Sequence, residues 1–262
     1  MRNMILSRYA RTGWRGFDRL CKTLGFGHGS PILAKTDAGT WMKLDPHSYI
    51  DRHILHEGYY ESEVLFAINS SIQENSVFWD IGSNIGLHSI AVKVAHPECL
   101  VISFEPSPAI LGSLWQNATI NLVDIQICSF ALSDHQDLTT LHIAKPGNPG
   151  MTTLAIYPGL EDAFQSEVVV ATIQGDALIE KGLAPRPTVV KIDVEGHEHQ
   201  VLSGMRQALA HADCRCVIFE DGPGPSDVKA LLTDLGFRIE QLIRNENTAH
   251  PLQNFVGKKQ KS

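Results

Sequence analysis

Nothing in this 262-residue chain approaches the ~18 consecutive apolar residues of a membrane-spanning helix. No secretory apolar stretch follows its first basic residues, so the expectation is a chain that stays in the cytoplasm. Positive charge is not in surplus either: a formal net charge of −7 gives no bulk attraction for nucleic acid. The five cysteines are odd in number and scattered, which reads as small buried hydrophobes in a reducing compartment. Cys214-Arg215-Cys216 is not a C-x-x-C, and with no second pair at zinc spacing the expectation is that no metal is bound. His197-x-His199 does not change this, because residues i and i+2 of a helix face apart and no H-E-x-x-H is present. The size and composition suit one large domain, at residues 58–262, with an N-terminal extension at 1–57.

Two familiar phosphate-binding patterns are also missing, G-x-G-x-x-G and G-x-x-x-x-G-K-[ST]. In their place stands Asp80-Ile81-Gly82-Ser83-Asn84-Ile85-Gly86, a D-x-G-x-N-x-G loop. The apolar run Val77-Phe78-Trp79 leads into it, and small and apolar residues follow at helical spacing from Leu87. That reads strand, tight loop, helix. Asp80 falls at the carboxyl edge of a sheet, where open α/β sheets bind ligands. An acid beside the glycines would repel a pyrophosphate but suits a cationic ligand. Glu105 ends the next apolar run, Leu100 to Phe104, and an acid at a second strand end can accept from ribose hydroxyls. A ribose, a cationic centre and an amino-acid end together describe S-adenosylmethionine. A plain turn with satisfied acids is the bland alternative.

Residues 1–26 hold six basic residues against Asp18 alone. Leu6, Tyr9, Phe17, Leu20 and Leu24 could share one side of a helix there. Such a helix either touches an anionic membrane or acidic partner, placing the chain peripherally at a membrane, or caps the catalytic domain with its arginines solvated. A short strand at Thr40–Leu44, a helix at Tyr49–Leu55 and a second helix entered through Glu57-Gly58-Tyr59-Tyr60-Glu61 precede the first core strand, placed to cover the ligand site. Beyond Glu105 the pattern predicts a helix through Asn121, a strand from Asp124 to Phe130, and Ser133-Asp134 at its end, where small polar residues could receive a flat base or form a plain turn. Strand-like runs at Leu138–Ile143 and Val168–Ile173 read as an inserted β-element projecting from the core.

A second chemical stretch is Lys191-Ile192-Asp193-Val194-Glu195-Gly196-His197-Glu198. On a strand, alternation sets Lys191, Asp193 and Glu195 on one face, where they cannot all be buried without partners. They are expected at an open strand end, as catalytic groups or as a Lys191–Asp193 ion pair that merely holds the loop. A helix with Val201, Leu202, Met205 and Leu209 inward follows. Then come a strand ending at Glu220, a helix from Asp227 to Leu235, two last strands, and a frayed basic end at Lys258, Lys259 and Lys261.

With Asp80-x-Gly82-x-Asn84-x-Gly86, Glu105-Pro106-Ser107, Asn117, Ala131-Leu132-Ser133-Asp134 and Lys191 to Glu198 in place, the chain resembles the FkbM-type S-adenosylmethionine-dependent methyltransferases from about Gly58 onward. The resemblance implies an α/β, Rossmann-like class I methyltransferase fold: a seven-stranded, mostly parallel sheet with an antiparallel last strand, here with an N-terminal helical extension and a β-insertion. It implies that the loop from Asp80 through Gly82, Ser83 and Asn84 to Gly86 holds the methionine end, Glu105 the ribose, and Ser133 and Asp134 the adenine side. It also implies O-methylation of a hydroxyl on a sugar, glycolipid or small natural product. One departure is Gln174-Gly175-Asp176, where members often carry Thr-Leu-Asp. For such a transfer Asp193 is the first candidate base and Glu195 the second, with Lys191 or His197 tuning or orienting it and Glu220 binding an acceptor hydroxyl. A nicotinamide oxidoreductase on a similar sheet and a non-catalytic membrane-associated binding module are the rival readings.

Overall fold

A computed structural model describes residues 31–145, 149–155, 161–243 and 253–259, together with Gly16, Cys21 and Thr23. The chain enters as a hairpin, β1 (Ile32–Lys35) and β2 (Trp41–Leu44), followed by helices α1 (Tyr49–Glu57) and α2 (Ser62–Ser71). Ser48 caps α1 by accepting from the Asp51 N–H, and Gly58, in the left-handed conformation, closes it. Strand β3 (Val77–Ile81), helix α3 (Leu87–Ala95), strand β4 (Leu100–Phe104), helix α4 (Pro108–Ile120) and strand β5 (Gln126–Cys128) alternate next. Strands β6 (Ala131–Leu132), β7 (Asp137–Ala144) and β8 (Phe164–Ile173) form the insertion. The alternation resumes with α5 (Gly175–Glu180), β9 (Val189–Ile192), α6 (Glu198–Ser203), α7 (Arg206–Ala210), β10 (Cys216–Asp221) and α8 (Asp227–Asp234), then closes with β11 (Phe237–Gln241) and β12 (Gln253–Lys259).

The main sheet has seven strands in the order β11-β12-β10-β9-β3-β4-β5. Strands β5, β4, β3, β9 and β10 run parallel, and β12 inserts antiparallel between β10 and β11. The expected seven-stranded, mostly parallel sheet is therefore present. Its inner strands are buried on both faces, as parallel strands covered by helices must be. Trp79 faces one apolar cluster with Phe104, Ile192 and Phe219, while Phe78 faces the other with Val92, Val101 and Ile218. Chain order reverses at β3, with β4 on one side and β9 on the other, so the crevice at the carboxyl ends of these strands is the topological place for a ligand.

Several boundaries differ from the sequence reading, each for a physical reason. The strand expected at Asp124–Phe130 is shorter, Gln126–Cys128: pairing with β4 ends at Cys128, and the following Ala131-Leu132 pairs with β8 in a separate three-stranded sheet. Strand β9 ends at Ile192, so Asp193 and Glu195 belong to the turn after it, and Lys191 is buried rather than at an open end. The helix after His197 breaks at Gly204 into α6 and α7. Lys258 and Lys259 are not frayed but lie in β12, where the Lys259 ammonium donates to the Leu209 and His211 carbonyls at 2.5 and 2.7 Å. The expected basic helix of residues 1–26 falls outside the described residues apart from Gly16, Cys21 and Thr23. Among the described residues no helix is long and apolar enough to cross a membrane.

The hairpin is joined to the sheet domain by two asparagines one helical turn apart, Asn117 in the last turn of α4 and Asn121 at its C-cap. Asn117 accepts from the Lys43 N–H at 2.8 Å and Asn121 from the Trp41 N–H at 2.7 Å, while the Asn121 amide donates to the Trp41 carbonyl at 2.6 Å. The two side chains thus pair the outer edge of β2 as a neighbouring strand would. Asn117 also donates to the Ile85 carbonyl at 3.1 Å, tying the hairpin to the glycine loop. Asn117→Ala removes partners from buried backbone groups and should cost about 2–4 kcal/mol, whereas Asn121→Ala at a water-accessible edge should cost less than about 1 kcal/mol. Urea unfolding of the two variants reads the difference.

Candidate functional site

A cavity of about 590 Å³ opens at the carboxyl ends of β3, β4, β9 and β10. The loop after β3 forms one wall. Gly82 takes φ +76°, and a Cβ there would overlap the Asp193 carbonyl, so only glycine lets the turns after β3 and β9 touch backbone to backbone. The Asp193 N–H donates to the Ile81 carbonyl at 3.0 Å across the same junction. Glu105 holds the loop from the other side, its two oxygens accepting from the N–H groups of Asn84 and Ser107 at 2.9 Å each. Each oxygen keeps a lone pair beyond that bond. Burial raises the Glu105 carboxyl to about 7 against the pull of those N–H groups.

Beneath the loop lies a buried charge cluster. The Lys191 ammonium stands 3.1 Å from Asp193 and 3.6 Å from Asp80. Burial works against that charge, but Asp193, Asp80 and Glu61 outweigh it and hold Lys191 above the ordinary lysine range. Asp80 itself is fully buried, and its second oxygen accepts from the Ser89 N–H at 3.1 Å and hydroxyl at 2.6 Å. Asp80, Ser83 and Lys191 are thus packed behind the cavity surface, whereas Gly82, Asn84 and Asp193 line it.

The opposite wall is rich in acids. Glu195, Glu198 and Glu220 line the cavity together with Asp193 and Glu61. Burial first, then Asp193 and Glu198, raise Glu195 to about 8. Burial first, then Asp193 and Glu195, raise Glu220 to about 9. Glu198 is also raised by burial, although it accepts from the N–H groups of Val194 and Gly196 at 3.2 and 3.1 Å. Among the described residues no lysine or arginine lines this cavity, and no group of three or more His, Cys, Asp or Glu side chains is arranged to hold a metal ion. Carboxyls crowded in this way favour a cationic occupant.

Ser133 and Asp134 lie differently from the sequence reading. Neither lines the cavity, whose wall there is Phe130, Ala131 and Leu132. Ser133 is wholly buried and stands 3.0 Å from Nε2 of His197, so the structure joins two residues that the sequence assigned to different tasks. Sequence reasoning also missed Glu61, which takes φ +52° just ahead of α2. Of the five described non-glycine residues with positive φ, Glu61, Asn84 and Glu195 all line the cavity, as expected where a site holds backbone strain. An acid before a predicted helix was the available signal for Glu61. The insertion reaches the site: Leu141 of β7 and Met151 and Thr153 of the segment between β7 and β8 line the cavity, and the Thr153 hydroxyl donates to the Glu195 carbonyl at 2.7 Å.

These residues fit S-adenosylmethionine: Glu105 could accept from its ribose, Phe130, Ala131 and Leu132 could pack on its flat base, and the acids of the cavity suit its positive charge.

Two outcomes test the electrostatics. Lys191→Met leaves Asp80 buried without its cation and should destabilise by about 3–5 kcal/mol. Adding Asp80→Asn should return much of that loss in chemical denaturation. A carboxyl raised by folding binds more protons folded than unfolded, so its stability contribution is present below the unfolded value and is lost as pH climbs to the folded one. Thermal stability of the ligand-free chain should therefore fall between about pH 5 and 9, and Glu220→Gln should flatten the fall.

Residues 80–239 match the family described as Methyltransferase FkbM domain. The chain is 32% identical over 192 residues to Hexuronic acid methyltransferase AglP of Haloferax volcanii, covering 71% of this chain and 74% of that protein. It is 25% identical over 212 residues to 31-O-demethyl-FK506 methyltransferase FkbM of Streptomyces tacrolimicus, covering 71% and 76%. Among solved structures, M. capricolum TrmK in complex with S-adenosyl-homocysteine is similar over 78% of this chain and 70% of its own, with 12% identity and a TM-score of 0.47. A match across more than half of the chain settles the choice between a methyltransferase and an oxidoreductase: the chain belongs to the FkbM family of S-adenosylmethionine-dependent methyltransferases.

Proposed function

We propose that the chain methylates a hydroxyl oxygen of a sugar or comparably hydroxylated small molecule. One observation carries this reading: residues suited to the donor, at Asn84 and Glu105, and a group of acid–base side chains, at Asp193, Glu195, His197 and Glu220, line the same cavity. The names of the two relatives support parts of it: a hexuronic acid methyltransferase supports a sugar acceptor, and a 31-O-demethyl-FK506 methyltransferase supports transfer to oxygen.

Bound in this cavity, S-adenosylmethionine supplies a methyl group activated by its sulfonium. The chain's own residues position and deprotonate the acceptor. Glu105 would accept from the ribose hydroxyls through the lone pairs its backbone bonds leave free. Asp193, held by Lys191 at 3.1 Å through one oxygen, has the other for an acceptor hydroxyl, and Glu220 offers a second contact. Leu141, Met151 and Leu154 of the insertion give an apolar surface that excludes water from the transfer.

Labelled donor incubated with neutral sugars, sugar acids and glycosides should yield a methyl ether that survives mild base. Label lost in mild base would mark a methyl ester and overturn hydroxyl methylation. Glu105→Gln should weaken S-adenosylhomocysteine binding about tenfold to a hundredfold in calorimetry, the value of one to two lost charged hydrogen bonds.

A further inference from the structure

A line of hydrogen-bonding groups leads from the cavity to solvent. His197 lines the cavity at the start of α6. Its Nε2 stands 3.0 Å from the Ser133 hydroxyl, which stands 3.2 Å from Oδ1 of Asp134, and that oxygen stands 2.5 Å from Nδ1 of His135. Ser133 is fixed at the middle of this line: its N–H donates to the Ile173 carbonyl at 3.0 Å, and its carbonyl presses so closely on Gly204 that a Cβ there would overlap it. At the far end the side chains of Asp134 and His135 are 46% and 57% exposed, so the line reaches water.

The chemistry of the groups gives the line a direction. An ionised carboxylate only accepts, so the Ser133 hydroxyl donates to Asp134 and in turn accepts from His197. The proton on His197 then sits on Nε2, and the bare nitrogen is Nδ1. Burial holds His197 below the ordinary histidine range, so it is uncharged at neutral pH, while the hydrogen bond from His135 holds Asp134 below the ordinary carboxylate range. Asp193 is the competing proton acceptor, but Lys191 occupies one of its oxygens at 3.1 Å.

We propose that His197 takes the acceptor's hydroxyl proton at Nδ1 while its Nε2 proton moves to Ser133, whose own proton passes to Asp134 and from that exposed carboxylate to water, with His135 holding Asp134 in place. This rests on the hydroxyl acceptor proposed above. One proton leaves the acceptor oxygen for each methyl group it gains, and that proton is what the line carries. His197 is thereby the catalytic base, and Ser133, Asp134 and His135 are relay and positioning residues.

The first test needs no acceptor. In protein labelled with 15N-histidine, the His197 signal, identified by its loss in His197→Gln, should show the tautomer protonated at Nε2. Asp134 and His135 face the ring from the turn after β6, and Asp193, Glu195, Glu198 and Glu220 line the cavity that the ring also lines. Of these, Asp134 raises the ring's proton affinity, so Asp134→Asn should move the His197 titration to lower pH. A wild-type tautomer protonated at Nδ1, or a titration unmoved by Asp134→Asn, overturns the relay. The second test uses the hydroxylated compound that gives the base-stable ether. On it, Ser133→Ala and Asp134→Asn should each lower kcat about tenfold, with S-adenosylhomocysteine affinity kept within about twofold. The acid limb of the Asp134→Asn rate profile should follow the shifted titration. Unchanged kcat and pH profile in both variants would assign the proton to Asp193 or Glu195 instead. If no hydroxylated compound is methylated, the proposed function fails, while the tautomer and titration still decide whether the line exists.

Discussion

Lys191 carries an ammonium into the middle of a sheet whose neighbouring strand residues are all buried, and it stays charged because Asp80 and Asp193 stand 3.6 and 3.1 Å away. Each of those carboxylates governs a different part of the site. Asp80 caps the start of α3 through Ser89 and so fixes the far end of the glycine loop. Asp193 begins the turn that carries Glu195 and His197. Remove the ammonium, and two like charges meet under a loop that must stay in place for any donor to bind. The ion pair is therefore better understood as setting the register of two loops than as a source of net stability, since desolvation offsets much of what such a pair gains.

The sequence made the local elements of this arrangement legible and left their partners hidden. The glycine loop, the acids at the ends of β3 and β4 and the strand run into Lys191 could be read because each is a short stretch with its own periodicity. Sequence alternation also required Lys191 to have a partner and offered Asp193. It could not offer Asp80, 111 residues earlier, because that contact exists only once β3 and β9 lie side by side. The same limit hid the meeting of Ser133 with His197. It also hid where the run from Asp124 stops pairing with β4 and the chain passes at Ala131 to the second sheet, since β-propensity is alike for strands of either sheet. Glu61 escaped because its left-handed backbone and its place in the cavity come from packing, with His88 bonded to its backbone and Asn254 3.2 Å from its carboxylate.

The inserted sheet adds to the wall of the cavity. It carries its own small core of Leu141, Ile143 and Val170, and its connecting segment touches the acid turn through Thr153. A change in this sheet can reshape its side of the cavity while Glu105 and the glycine loop keep their own contacts. That separation is consistent with a family in which one relative is named for a hexuronic acid and another for 31-O-demethyl-FK506.

Strand β12 has a consequence for how the molecule comes into being. It lies between β10 and β11, and its Asn254 reaches the carboxylates of both Glu61 and Glu63. During synthesis the strands around Lys191 can pair once β10 has emerged, but the edge that steadies Glu61 does not exist until residues 253–259 have been made. A chain still on the ribosome would hold its ammonium and its glycine loop while one side of the acid wall stood unbraced. Nascent chains stalled before this strand are therefore the ones most exposed to proteases and to off-pathway pairing along the open edge of β10.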